Sequence, residues 1–161
     1  GFNYDKQSLL RLEKYNVAKV LHHMRGTPNT MQKNPKYKNV LLDIYDFFES
    51  QIIRLKKVKS PNKIILDPGI GFGKNLKHNL TLISKISLFH SLGLPILIGT
   101  SKKRFISQIS GNYDSKERIG GTIASVLFLL SQGVQVFRVH DVNEVKQGIL
   151  VFEKILSNFG N

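Results

Sequence analysis

The chain of 161 residues contains no cysteine, so it can form neither a disulfide framework nor a thiolate metal site. Its apolar runs fall far short of the roughly 20 residues that a membrane-spanning helix needs. No secretory signal pattern opens it. These absences point to a reducing, cytoplasmic setting. Acidic residues are scarce: 11 Asp and Glu stand against 24 Lys and Arg, a net charge of +13. Such an excess suits nucleic acid, a membrane surface or anionic metabolites. Yet no nucleic-acid motif is present, and no run interleaves aromatic with basic residues. The basic stretch "RLKKVKSPNK" reads as the solvated end of an amphipathic helix, where cations suit the helix dipole. Charge alone leaves these partners open, and a compositional bias toward Lys, Asn and Ile explains it equally well; the motifs further along the chain imply small-molecule substrates, with no nucleic acid and no membrane. No Pro/Gly/Ser linker or low-complexity tract divides the chain, and one domain is expected over residues 1–161. It begins at Gly1 rather than Met, which reads as a fragment or a processed product.

Four short, β-branched apolar segments read as strands: "VAKVLHHM" (17–24), "KIILDPG" (63–69), "PILIGTS" (95–101) and "VQVFRVHDV" (134–142). Their nearly continuous apolar character is that of buried parallel strands. Helical patterns lie between them. A first helix, "DKQSLLRLEKY", has Asp5 as a candidate N-cap. Val40, Leu41, Ile44, Phe47, Phe48, Ile52 and Leu55 recur at three- and four-residue steps, which makes one apolar helix face. "LTLISKISLFHSLG" reads as a further helix stopping at Gly93. After the third strand come a short "KRFISQIS" helix, a polar loop "GNYDS" and a long apolar helix "RIGGTIASVLFLLSQG". A last helix, "VNEVKQGILVFEKILSNFG", closes the chain. Strand, loop, helix, four times over, predicts a parallel α/β architecture.

In such folds chemistry gathers at the carboxyl ends of the strands. All four strands end in polar residues: His22, His23 and Met24; Asp67; Thr100, Ser101, Lys102 and Lys103; Arg138, His140 and Asp141. Arg138 and His140, two apart, should share a strand face and hold an anion or a carboxylate between them. A charge inside an apolar strand, as Arg138 is, should be paired. After the second strand, "DPGIGFGKN" carries three alternate glycines. It is no P-loop, because Pro68 stands where the first glycine would be and Asn75 replaces the hydroxyl. It is no dinucleotide loop either, since Lys74 or Leu76 falls on the last glycine position. Phe72 among these glycines has little to pack on unless a ligand or another loop supplies it. Plainer readings stand beside these. Asp67 can cap a turn, His22 or His23 can be packed in the core, and Lys103 can be a solvated lysine at a helix start.

"HMRGTPNTMQ", "ILDPGIGFGKN", "GTSKKRFI" and "RVHDV", in this order and spacing, resemble dihydropteroate synthase. The resemblance covers essentially the whole chain. It implies a (β/α)8 TIM barrel that joins 6-hydroxymethyl-7,8-dihydropterin pyrophosphate to p-aminobenzoate in folate biosynthesis, the step that sulfonamides target. Matched motif by motif, Asp67 would take the pterin's amino and ring N–H donors. Lys103 would meet the other edge, Met24 would pack on the ring, and Gly99 would let the backbone approach it. Arg138 and His140 would hold pyrophosphate, with Lys103 completing the catalytic set. Ser101, Phe72 and Lys102 would line the p-aminobenzoate side, although Lys102 stands where the resemblance has Arg. Such a barrel needs roughly 250 residues, and four βα units are present here. The expectation is therefore a carboxyl-terminal half-barrel, inactive alone, that pairs as a homodimer or requires its amino-terminal half. The resemblance implies Mg2+ as cofactor, with its protein ligand outside this chain, and no metal ligand within it. Two rival readings are a methyltetrahydrofolate-binding methyltransferase domain and a basic nucleic-acid-binding module.

Overall fold

A computed structural model describes residues 17–27, 31, 33–57, 63–111 and 114–159, without the side chains of 56 and 57. Four strands run β1 (Lys19–His22), β2 (Ile64–Asp67), β3 (Leu97–Ile98) and β4 (Val136–Phe137). The helices are α1 (Val40–Lys57), α2 (Leu76–Ser84), α3 (Arg104–Ser110), α4 (Ile119–Ser131) and α5 (Val142–Ser157). Two 3-10 turns, Ile86–Leu92 and Lys116–Arg118, complete the order. The segment carrying Asp5 lies outside the described residues. Among those described, no helix is long and apolar enough to cross a membrane.

β1 pairs parallel with β2 and β3 with β4. A parallel bridge, Leu66 to Ile96, links the two pairs, and Leu66 N–H donates to the Pro95 carbonyl at 2.8 Å. The spatial order is thus β1-β2-β3-β4, the order of the chain. Successive side chains on a strand point to opposite faces. Leu21, Leu66, Ile96 and Ile98 are buried with Ile44 and Phe48 of α1, Leu82 of α2, Ile86, Phe89, and Leu129 of α4. The alternate residues Val20, Ile65, Leu97 and Val136 stay partly or largely exposed, Val20 at 43%. One face of the strands builds the core with the helices, and the other is open.

Every strand is shorter than its apolar segment, and at β3 and β4 the flanking groups have other partners. Val134 N–H closes the end of α4 on the Leu129 carbonyl, and the Gln135 side chain accepts from Ile96 N–H at 2.9 Å. His140 N–H donates to Ser101 Oγ, which leaves only Arg138 N–H, on the Ile98 carbonyl, extending β4. The segment read as one helix up to Gly93 breaks at Lys85 (φ −125°) into α2 and a 3-10 turn. Ile86 and Phe89, three apart and both buried, suit that tighter period. Gly93 does cap this turn, at φ +70°.

Two glycines after β2 are required by geometry. Gly69 and Gly73 both have positive φ, and a Cβ on either would collide with a backbone carbonyl, of His23 and of Arg25 respectively. Gly111, also at positive φ, has open space around it. Gly111→Ala should therefore cost only the left-handed conformation, about 1–2 kcal/mol. Gly69→Ala should cost about 1–3 kcal/mol more, because the collision forces the backbone to shift. Urea unfolding of the two variants checks this order, and equal midpoints would refute the close seating of the loop.

Candidate active site

The register of β1 and β2 sets His22 opposite Asp67. Asp67 is buried, and its Oδ1 accepts from Gly69 N–H at 2.8 Å. Its Oδ2 lies 3.9 Å from His22 Nε2. Burial, only partly offset by Asp67, lowers the His22 pKa, so the ring is neutral at neutral pH. Asp67 thus caps a turn with one oxygen and presents the other beside an uncharged imidazole. The turn reading of this residue is seen directly in the bond from Gly69.

The glycine-rich loop brings Phe72 back over the end of β1. Its ring meets His22 edge-on, with centroids 4.8 Å apart, and Lys103 Nζ sits over it, 4.7 Å from its centroid. Phe72 therefore has packing partners from two other strand ends without any ligand. Lys103, the residue before α3, donates to the Ile70 carbonyl. Burial pushes its amine down to about 8, against the pull of Asp67 and with help from the Arg138 charge. It folds over the loop rather than extending into solvent as a helix-start lysine.

At β3 and β4, Ser101 is buried with its Oγ 2.8 Å from His140 Nδ1. Arg138 lies along β3. A Cβ on Gly99 would sit 3.5 Å from its guanidinium nitrogens. Gly99 thus makes room for Arg138. Arg138 is exposed and forms no ion pair among the described residues, contrary to the pairing expected of it. The strand face it leaves is open, so water solvates the charge. Nor do Arg138 and His140 share a strand, since β4 ends at Phe137; a loop carries His140 to Ser101.

Lys102 turns elsewhere. Its backbone has φ +56°, and its Nζ is 2.7 Å from Asp141 Oδ1. The Lys102 carbonyl accepts from Arg118. A cleft of about 350 Å³ opens beside Phe72, and Lys103 and Arg104 line it with Met31, Pro35 and Lys74. Lys102 is not among its walls. A larger apolar groove of about 700 Å³ runs over Leu80 of α2 and Phe128 of α4 and contains none of the strand-end residues. Met24 is half-buried just past β1.

The sequence reading left out the residues beneath the loop. Lys74 is 2% exposed, donates to the Phe72 carbonyl at 3.0 Å and lies 3.1 Å from His23 Nδ1. Burial pushes its amine down to about 7 and the His23 imidazole to about 3. Tyr37 donates to the Gly73 carbonyl at 2.9 Å, and Asn79 accepts from Gly71 N–H at 2.8 Å. Asn79 carried a signal, the four-residue step from the N-cap Asn75. Tyr37, 36 residues from its partner, carried none.

A family model described as pterin binding enzyme matches residues 1–140. The dihydropteroate synthase of Escherichia coli is 41% identical over 138 residues, 85% of this chain and 49% of that protein. Two crystal structures of the Thermus thermophilus dihydropteroate synthase match with a TM-score of 0.89. One, in complex with 6HMPPP, is 35% identical and is matched over 96% of this chain and 61% of its own. The other, in complex with 4-aminobenzoate, is 36% identical, over 95% and 62%. The α/β unit corresponds to part of those structures, and the chain spans about half the length of the curated relatives it matches. With four parallel strand ends holding the motif residues, and with these matches, the chain belongs to the pterin binding enzyme family.

Proposed function

We propose that this chain carries the carboxyl-terminal half of a dihydropteroate synthase, joining 6-hydroxymethyl-7,8-dihydropterin pyrophosphate to p-aminobenzoate. The observation that carries the reading is convergence. Asp67, Lys103, Arg138 and the Ser101–His140 pair lie at the carboxyl ends of three neighbouring parallel strands, β2, β3 and β4. The relatives in complex with 6HMPPP and with 4-aminobenzoate support it.

The roles follow from the groups available. The free side of the Asp67 carboxylate takes the pterin's amino and ring N–H donors, and Lys103 takes the opposite edge. Met24 flanks the flat ring, and Phe72 is the wall between it and the p-aminobenzoate side. Arg138, solvated and without an ion pair, and His140, oriented by Ser101, hold the pyrophosphate. The bond from the pterin methylene to the pyrophosphate oxygen breaks, and its electron pair leaves with the anion. The ring shares the positive charge left on carbon. The amine nitrogen of p-aminobenzoate then bonds to that carbon and releases its proton to water. The chain's contribution is to stabilise the leaving anion and to orient the partners. p-Aminobenzoate occupies the cleft beside Phe72, where Lys103 and Arg104 supply the cations for its carboxylate; Lys102 is engaged by Asp141. Mg2+, which the family implies, would be held outside this chain. Among the described residues no group of three His, Cys, Asp or Glu lies together.

Arg138→Ala should weaken pyrophosphate binding by about 1.5–3 kcal/mol, the range for hydrogen bonds to a charged group. Isothermal calorimetry at low salt reads this, and unchanged affinity removes Arg138 from the anion site. Asp67→Asn should keep the turn, because an amide oxygen still accepts from Gly69. It should lose about 1–3 kcal/mol of pterin affinity, because it sets a donor against a donor. A variant that folds like wild type and binds the pterin equally well would leave Asp67 with the turn alone.

The open strand face sets a third expectation. Strands from an amino-terminal half, or from a second copy, are needed to cover Val20, Ile65, Leu97 and Val136 and to exclude water from the site. Pyrophosphate release should be absent from the monomer and should appear on adding an amino-terminal half of a relative. Light scattering run beside the assay identifies the active species. A fully active monomer would refute the half-site reading.

A further inference from the structure

We propose that Lys74 is a positioning residue, pinning the Phe72 wall of the pterin site to the end of β1 from beneath the glycine-rich loop. The inference rests on the pterin reading above and adds a residue to which that reading gave no role, although Lys74 also borders the cleft assigned to p-aminobenzoate. Three observations carry it. First, the Lys74 amine is buried, and the structure gives it no carboxylate within ion-pair distance among the described residues. Its contacts are the Phe72 carbonyl at 3.0 Å and His23 Nδ1 at 3.1 Å. Second, those two contacts belong to the two walls. Phe72 is the ring over His22, and His23 sits between His22 and Met24. Third, the same loop is held to the same segment by close backbone seating at Gly69 and Gly73 and by the Tyr37 hydroxyl. Lys74 is the side-chain element of that seam.

A buried amine without a carboxylate partner is a poor way to stabilise a fold, because desolvation works against the charged form. The groups acting on it are Asp67, which favours the charge, and Lys103, which opposes it; His23 beside it is itself neutral. With the folded-state value near 7 against an ordinary 10.5, the unfolded chain holds a proton that the folded chain lacks across that window. Stability attributable to Lys74 therefore rises with pH from about 7 to about 10.5, and its full cost is felt below about 7. A residue serving stability alone would show the opposite balance.

Lys74→Met keeps the length and removes the donors and the charge. Three measurements on the whole chain test the inference. Affinity for 6-hydroxymethylpterin, read by NMR titration, should fall about tenfold, the worth of roughly one hydrogen bond. Amide exchange at Gly71 and Phe72 should speed up about tenfold or more while core amides of α4 stay unchanged, as expected when a loop opens locally. Stability relative to wild type should shift in favour of Met as pH falls from about 10 to about 7. Unchanged exchange in the loop overturns the pinning role whatever the pterin does. Unchanged pterin affinity with a loosened loop overturns its link to the site. A wild-type chain that ignores the pterin sinks the pterin reading itself, and the pin then stands or falls on the exchange measurement.

Discussion

Between the His23 carbonyl and the α-carbon of Gly69 there is no room for a methyl group, and the same is true between the Arg25 carbonyl and Gly73. This seating of one loop on the exit of the neighbouring strand governs the rest of the site. It brings Phe72 within ring contact of His22 and places Gly71 against the Lys103 side chain, where a Cβ would sit 3.2 Å from Cδ. Lys103 can then reach across to the Ile70 carbonyl and lie over the Phe72 ring. Asn79 and Tyr37 hold the loop's backbone from the helix side. An N–H or carbonyl left unpaired in so tight a place would cost about 1–3 kcal/mol, so the side-chain bonds are as necessary as the glycines. The parallel ladder supplies the frame, but the loop decides how far apart the walls of the site stand.

The charge distribution follows from the same frame. Among the described residues Asp67 is the carboxylate that acts on Lys74 and Lys103, and the two amines carry depressed affinities for protons because burial outweighs its pull. An end of the sheet so short of negative charge suits the anion of the proposed function. The arriving ligand would compensate charges that the protein leaves uncompensated, which is how electrostatic preorganisation acts in a substrate site. Asp141 shows the contrast. It takes up Lys102 at 2.7 Å, so the adjacent lysines have different surroundings: one is paired with a carboxylate and the other lies over the Phe72 ring.

Much of this was legible in the sequence, for reasons that can be named. Helix α1 was readable because its apolar residues repeat over five turns, and such a period has no other explanation. The strands were legible in number and order, and their ends were not. A β-branched run marks where a strand can form, whereas its length depends on which distant groups claim the flanking N–H and carbonyls. Gln135 and Ser101 make those claims from across the fold. Asp67, Phe72, Lys103, Arg138 and His140 stood out as polar or aromatic residues where the local pattern called for something else. Lys74 lay in the quoted loop but read as one more lysine in a chain rich in them. Its burial depends on His23, 51 residues away. The pairing of Lys102 with Asp141 was equally hidden, since nothing local separates a lysine facing a cleft from its neighbour facing an acid.

The open face of the strands joins the fold to the chemistry. Alternation sends Leu21, Leu66 and Ile98 to the helices and Val20, Ile65, Leu97 and Val136 to the other side. At the strand ends the same alternation sends His22, Asp67, Gly99 and Arg138 to that other side. The apolar residues lower on the strands and the polar residues at their ends therefore belong to one surface. Whatever covers the first also encloses the second. Under the proposed function, enclosure would lower the local dielectric, would strengthen the grip of Arg138 and His140 on an anion, and would keep water from the cationic carbon. Burial of the apolar layer, at about 25 cal/mol per Å², is thus the driving force that would assemble the site, and the solvation that Arg138 loses on closure is what the bound anion must replace.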